Sequence, residues 1–299
     1  MSGTRVRRIA GLAAVTTALI AGTAHAATLQ VRPNKPNALQ KAIDKADPGD
    51  KLAVHRGRYK ESVEVDKRLR IIGVSKVRPV VDATCDSEIT IDVTHGGVRL
   101  RHLKARGAQF EATVSPGFTI NFVGIPTGTV RDVAVQESCP GSAEYGINLT
   151  DTGNLRILDN HTYGGYTDAG IYVGNITDTR GKTLLVRGNI SNGNNRGAII
   201  EDSFLPAAEI VVHDNFLHHN NITGEGTPDG LFIRNSDGGR YIDNRANRNG
   251  KYGILVDATS DNNVFIGNTA INNGLAELDF VDNGMDNCGS GNSFPIDPC

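Results

Sequence analysis

From residue 144 onward this chain repeats itself, and the repeat constrains its fold more than any other feature. Aligned on one glycine, five runs superpose: Gly146-Ile147-Asn148-Leu149, Gly170-Ile171-Tyr172-Val173, Gly197-Ala198-Ile199-Ile200, Gly230-Leu231-Phe232-Ile233 and Gly253-Ile254-Leu255-Val256. The glycines lie 24, 27, 33 and 23 residues apart. Each run precedes a second strand-like stretch that ends in Asn: Asp159-Asn160, Gly188-Asn189, Asp214-Asn215, Asp243-Asn244 and Gly267-Asn268. Asn-rich stretches such as Asn192-Gly193-Asn194-Asn195 and Asn272-Asn273-Gly274 lead back to the next glycine. One such coil cannot bury its own apolar side chains, but a stack of copies can. Successive coils would pair as parallel strands about 4.8 Å apart, with each repeat position forming a column. Asn suits the turns because it tolerates positive φ and its amide can bond to its copies above and below. A leucine-rich repeat would need a Leu framework that is absent, and a propeller blade needs about 40 residues. The expected fold is therefore all-β, a right-handed parallel β-helix.

The N-terminal half carries weaker repeats. Strand-like runs fall at Lys51 to Val54, Ser62 to Val65, Leu69 to Ile72, Val80 to Asp82, Ile89 to Val93 and Val98 to Leu103. Before them, Ala38, Leu39, Ala42, Ile43 and Ala46 share one helical face, with Asn37 as N-cap and Asp47-Pro48-Gly49-Asp50 as the stop. This short helix would cap the solenoid. At the start, Arg5, Arg7 and Arg8 precede an apolar run from Ile9 to Ile20 and a small-x-small site at Ala24-His25-Ala26. That is the layout of a signal peptide, too short to span a bilayer, with cleavage expected after Ala26. The expected organisation is residues 1–26 signal peptide, 27–37 lead-in, 38–287 β-helix and 288–299 tail. The protein is expected to be secreted, extracellular and monomeric, with no membrane span. Its formal charge of -2 argues against a nucleic-acid partner.

Four cysteines remain in the mature chain: Cys85, Cys139, Cys288 and Cys299. An even number in an exported chain points to two disulfides, and three pairings exist. Cys288 with Cys299 would staple the C-terminus, and Cys85 with Cys139 would tie adjacent coils. The spacings fit no zinc pattern.

The stretch Ala42-Ile43, Ala46, Pro48-Gly49-Asp50, Gly57, Tyr59 and the apolar strands to Gly73 resembles the opening of pectin-lyase-like β-helix proteins. The glycine rows and their Asn partners resemble the parallel β-helix repeat, which also occurs in the periplasmic copper-accessory β-helix group. The resemblance covers nearly all of residues 38–294. It implies a choice among polysaccharide lyases, hydrolases, epimerases, adhesins and binding proteins. No catalytic signature of those enzyme groups is intact. Thr94-His95-Gly96-Gly97 only echoes the polygalacturonase Gly-His-Gly element, the epimerase Asp-Pro-His is missing, and without Trp the pectate lyase Trp-x-Asp-His cannot exist.

The alignment also assigns faces. Positions one and three after the glycine are apolar and should point inward, while positions two and four should point outward. Tyr172 and Phe232 at position two are then exposed rings, the candidate substrate-binding pair. At position four, Glu201, Arg234 and Asp257 occupy consecutive coils and are the candidate catalytic column. Arg234 there could bind a uronate, with the two acids on either side serving general acid-base roles. The plainer reading is an exposed ion-pair ladder. Asp168 and Asp229, just before repeat glycines, would join the edge of that face or close turns. The 33-residue coil between Gly197 and Gly230 carries His213, His218 and His219, which invite a metal reading, copper in particular, but the adjacent His218 and His219 would point to opposite sides and the spacing is weak against known ligand patterns. No cofactor is required; the Asp-rich turns could accept calcium. Five Asn-x-Ser/Thr sequons, from Asn148, Asn160, Asn175, Asn189 and Asn221, coincide largely with the Asn ladder. The leading expectation is a protein that binds or processes polysaccharide along one face. The alternative is a non-catalytic extracellular structural or protein-binding module.

Overall fold

The repeat forms a right-handed parallel β-solenoid in the computed structural model, which describes residues 26–109, 117–140, 143–176, 181–204, 209–222, 226–274 and 278–299. The expected signal peptide, and residues 223–225 of the long coil, lie outside the described residues. Three parallel sheets wrap one core. Sheet A has eleven strands and runs from Thr28–Val31 to Cys288–Ser290. Sheet B has nine, from Arg58–Lys60 to Thr269–Ile271. Sheet C has nine, from Val63–Val65 to Phe280–Asp282. One coil shows the path: Tyr145–Thr150 lies in sheet C, Asn154–Leu158 in A and His161–Tyr163 in B, and Ala169–Gly174 returns to C one rung on.

The register is the one the glycine alignment demands. Ile147 pairs with Ile171, Ile171 with Ala198, Ala198 with Leu231 and Leu231 with Ile254. This column and the one formed by Leu149, Val173, Ile200, Ile233 and Val256 are buried throughout. The glycines answer to close approach, not to unusual φ. A Cβ on Gly197 would meet the carbonyl oxygen of Gly230 at 2.4 Å, and one on Gly230 would meet that of Gly253 at 2.5 Å. The coil bends there so tightly from sheet B into sheet C that only a hydrogen fits.

The Asn turns divide their labour in a way the sequence reading did not foresee. The positive φ belongs to the residue before each Asn: Asp159, Gly188, Asp214, Asp243 and Gly267. The Asn itself faces inward and forms the ladder. Asn189 donates from its backbone N and its Nδ2 to Asn215 Oδ1, at 3.0 and 2.9 Å, and from Nδ2 to the Ile157 carbonyl at 2.9 Å. The same pattern links Asn160 to Asn189, Asn215 to Asn244 and Asn244 to Asn268. A second ladder, Asn194, Asn220, Asn249 and Asn273, lines the turn from sheet B to sheet C. These amides saturate backbone groups that a buried turn would otherwise strand, each at a cost of about 1–3 kcal/mol.

Both ends of the core are closed. The helix Ala38–Lys45 lays Leu39 and Ile43 over the first coils. Asn37 stands at its N-cap position but has left-handed φ and makes no side-chain cap bond. The Glu61 carboxylate caps it instead, accepting from Leu39 N at 3.0 Å and Gln40 N at 2.9 Å. At the far end Phe280 stacks on Phe294 with centroids 4.0 Å apart. Cys288 bonds Cys299 there, and Cys85 bonds Cys139. This second bond joins the Val80–Ser87 strand to the chain just after Ala134–Gln136, and the Lys104–Ala108 strand lies between those two in sheet B. It therefore reaches across a coil and does not tie adjacent ones. Among the described residues no helix is long and apolar enough to cross a membrane.

Candidate functional site

The outer face of sheet C gathers most of the residues singled out by the repeat. Its position-two column runs in register through Asn121, Asn148, Tyr172, Ile199, Phe232 and Leu255. The expectation of open rings here is corrected. Tyr172 and Phe232 are half-buried, and Asn148 and Ile199 are buried. Asn148 donates to Asn121 Oδ1 at 2.7 Å and Asn121 donates to Asp92 Oδ1 at 2.9 Å, so polar groups at this end are occupied by one another. Tyr172 packs beside Tyr145, with centroids 4.5 Å apart, and Tyr145 stacks on Phe118 at 5.8 Å. The three rings form an aromatic row on successive rungs. Burial, helped by Asp202, pushes the Tyr172 hydroxyl up to about 12.

Asp168 and Asp229 meet through a residue the sequence reading missed. Arg196 is nearly buried, and its Nη1 ion-pairs with Asp168 Oδ1 while its Nε lies 3.5 Å from Asp229 Oδ2. Tyr145 Oη donates to Asp168 Oδ2 at 2.8 Å. Burial first, then the adjacent Asp168 carboxylate, holds the Tyr145 hydroxyl far above its ordinary range. Asp229 is fully buried, with Thr227 Oγ1 donating to Oδ2 at 2.7 Å and Tyr252 N to Oδ1 at 3.2 Å. Burial outweighs these bonds and Arg196, and raises its carboxyl to about 6. So Asp168 and Asp229 neither merely close turns nor stand at an open edge. They clamp a guanidinium beneath the surface. The missed signal was positional: Tyr145, Arg196, Asp229 and Tyr252 each stand one place before a repeat glycine.

The clamp organises what solvent sees. The Arg196 guanidinium lies 5.0 Å from the Phe232 ring centroid, and that of Arg234 lies 5.8 Å from it. Arg234 is half exposed and ion-pairs with the largely buried Glu201, its register partner on the next rung. Asp257 does not complete the column. Its Oδ1 accepts from Asn235 N at 3.1 Å, Thr259 N at 3.1 Å and Ser260 Oγ at 2.7 Å. It has turned along the chain to close its own turn, where short-range backbone donors outcompete an exposed guanidinium one rung away.

The histidines of the long coil do not converge. His213 ends a sheet A strand and lies 3.5 Å from Asp243, whereas His218 and His219 sit past the Asn ladder at sheet B. His218 Nδ1 and His219 Nδ1 are 2.7 Å apart, and burial holds His218 below the usual imidazole range. Among the described residues no three of His, Cys, Asp and Glu come together as a metal-ligand set.

Comparison with known proteins matches the sequence to a family. The family model described as periplasmic copper-binding protein (NosD) matches residues 116–283, more than half of the chain. No curated protein sequence matches significantly. Among solved structures, pectate lyase Pel9A superposes with a TM-score of 0.62 at 12% identity, over 92% of this chain and 80% of that one. A mutant of the PL6 family alginate lyase AlyGC superposes at 0.52 and 14% identity, over 91% of this chain but only 39% of that larger one. At these identities the likeness establishes the shared β-helix.

Proposed function

The chain belongs to the family described as periplasmic copper-binding protein (NosD), and from that premise we propose that it is an exported protein that holds a polysaccharide along the outer face of sheet C. The observation that carries this reading is Phe232, a half-buried ring held between the guanidinium of Arg196 below and that of Arg234 beside it. Two cations over one ring fix its orientation, and a partly exposed aromatic ring flanked by charged donors is the kind of surface on which a C–H-rich sugar ring packs. Tyr172 stands two rungs away in the same column, about 10 Å along the solenoid. That separation lets one extended glycan touch both rings. Arg234, ion-paired yet half exposed, supplies a charged hydrogen-bond donor at the edge. The names of the fold neighbours, a pectate lyase and an alginate lyase, support a polysaccharide as the ligand. The two disulfides fit an extracellular or periplasmic compartment. The capped ends of the stack favour a monomer over end-to-end association.

The same geometry favours binding over turnover. Asp229 has the raised carboxyl expected of a general acid, but it is fully buried and bonded on both oxygens. Asp168 and Arg196 neutralise each other out of reach of a polymer. Glu201 is held by Arg234. Nor do the described residues suit copper. All four cysteines are in disulfides, and among the described residues no third His, Cys, Asp or Glu joins the nitrogens of His218 and His219. A glycan array on the mature protein, run beside an ultraviolet assay for unsaturated sugar on acidic polysaccharides, tests the reading. Binding without a rise in absorbance is expected. A rise would make the protein a lyase, and silence in both would favour a protein-binding platform.

A further inference from the structure

We infer that sheet A carries a second binding surface, a basic groove that takes an anionic polysaccharide. On the outer face of sheet A two columns run in register. Arg70 pairs directly with Arg99, and Arg101 pairs directly with Arg131. Thr129 follows Arg99 and is followed by Arg156. With Arg68 beside them, these six arginines line a groove of 760 Å³ whose walls contain no Asp or Glu. The protein as a whole has a formal charge of -2, so the groove is a local inversion of its charge.

Elsewhere several arginines stand beside an acid, although Glu64 and Asp92 in sheet C also oppose like with like. In sheet B, Asp82 stands between Arg58 and Arg106 and bonds both, at 2.7 and 2.5 Å. In sheet C, Arg234 has Glu201 on the next rung. Like charges directly opposite each other destabilise a sheet. Of these six arginines, only Arg131 has a relieving acid among the described residues, Asp159 at 3.1 Å. Among the described residues no carboxylate lies within ion-pair distance of Arg68, Arg70, Arg99, Arg101 or Arg156. An external anion that relieves several of them at once is the partner such a surface fits.

Its shape sets the class of anion. Rungs about 4.8 Å apart and columns about 6.6 Å apart present a flat, regular lattice of guanidinium forks. A polyuronate, with one carboxylate on every sugar, meets that lattice with bidentate pairs. Single-stranded nucleic acid would want aromatic side chains for base stacking, and the apolar residues of the groove are aliphatic: Ile72, Val98, Leu100 and Leu158. The inference stands apart from the reading of sheet C, since the two faces share no residue.

The test is titration of the full mature protein with polygalacturonate over a range of salt, with dextran and single-stranded DNA of equal charge as comparison probes. The double variant Arg99→Gln with Arg101→Gln should weaken polygalacturonate about tenfold at low salt and lower the salt slope by about one per charge removed. Arg99→Lys with Arg101→Lys, which keeps the charge but loses the forks, should keep the salt slope while losing part of the affinity, and an unchanged melting temperature in the Gln variant shows that its loss is not misfolding. Arg245→Gln, at an exposed arginine of sheet B, should leave both affinity and salt slope nearly unchanged, which ties the loss to this groove. An unchanged slope in the Gln variant would overturn the inference, and so would tighter binding of DNA than of polygalacturonate.

Discussion

Replacing Arg196 with Met removes the one cation that serves two buried carboxylates. Asp229 is fully buried, and the side chain of Asp168 is 10% exposed. The substitution keeps most of the side-chain volume, so the loss is electrostatic and not a cavity. Removing one partner of a buried ion pair costs about 3–5 kcal/mol, because the charge left behind is neither solvated nor paired. The lost contact between the guanidinium and Phe232, 5.0 Å from the ring centroid, adds about 1 kcal/mol. A total of about 5 kcal/mol corresponds to a fall in melting temperature of about 10–15 °C for a chain of this length. The pH dependence carries the sharper signature. Asp229 titrates at about 6 with Arg196 present, and removing Arg196 raises it further. A carboxyl raised in the folded state costs stability once it ionises, so the variant should lose most at about pH 8 and regain part of the loss at about pH 5. Differential scanning calorimetry at both values reads this directly. A drop of under about 2 °C, or an equal drop at both values, would refute the clamp.

Two further outcomes follow from the same structure. Asn189→Ala removes four side-chain bonds to neighbouring turns, leaving the Ile157 carbonyl and the Asn160 backbone amide unsatisfied; denaturant unfolding should show a loss of about 3 kcal/mol, and a loss under about 1 kcal/mol would contradict the ladder's role. In the wild type, Asp229 is ordinary when unfolded and raised to about 6 when folded, so its contribution falls as pH rises from about 4 to about 6, by about 3 kcal/mol in all. Asp229→Asn should flatten that part of the stability profile in pH-dependent calorimetry, and an unchanged slope would place the titrating group elsewhere.

How much of this was legible in the sequence depends on whether a property repeats. The solenoid, the inward columns and the register of Glu201 against Arg234 all follow from aligning the glycines, because stacking forces equal positions into contact. The Asn ladder was legible for the same reason, although the positive φ turned out to belong to Asp159, Asp214 and Asp243 just before it. Single events were not legible. Nothing in the repeat says that Asp257 turns toward Ser260, or that Arg196 lies under the surface between two acids. The arginine columns of sheet A were present as spacings, Arg70 to Arg99 and Arg101 to Arg131. They fall in coils without the glycine signature, and a net charge near zero conceals a charged face on the folded solid.

Calorimetric titration reads whether the Phe232 face of sheet C holds a glycan. The best oligosaccharide from an array is titrated into the wild type, Phe232→Ala and Arg234→Ala. The expected result is a loss of about tenfold or more in each variant, the worth of one stacked ring or one charge-assisted bond. Equal affinity in all three proteins would contradict it.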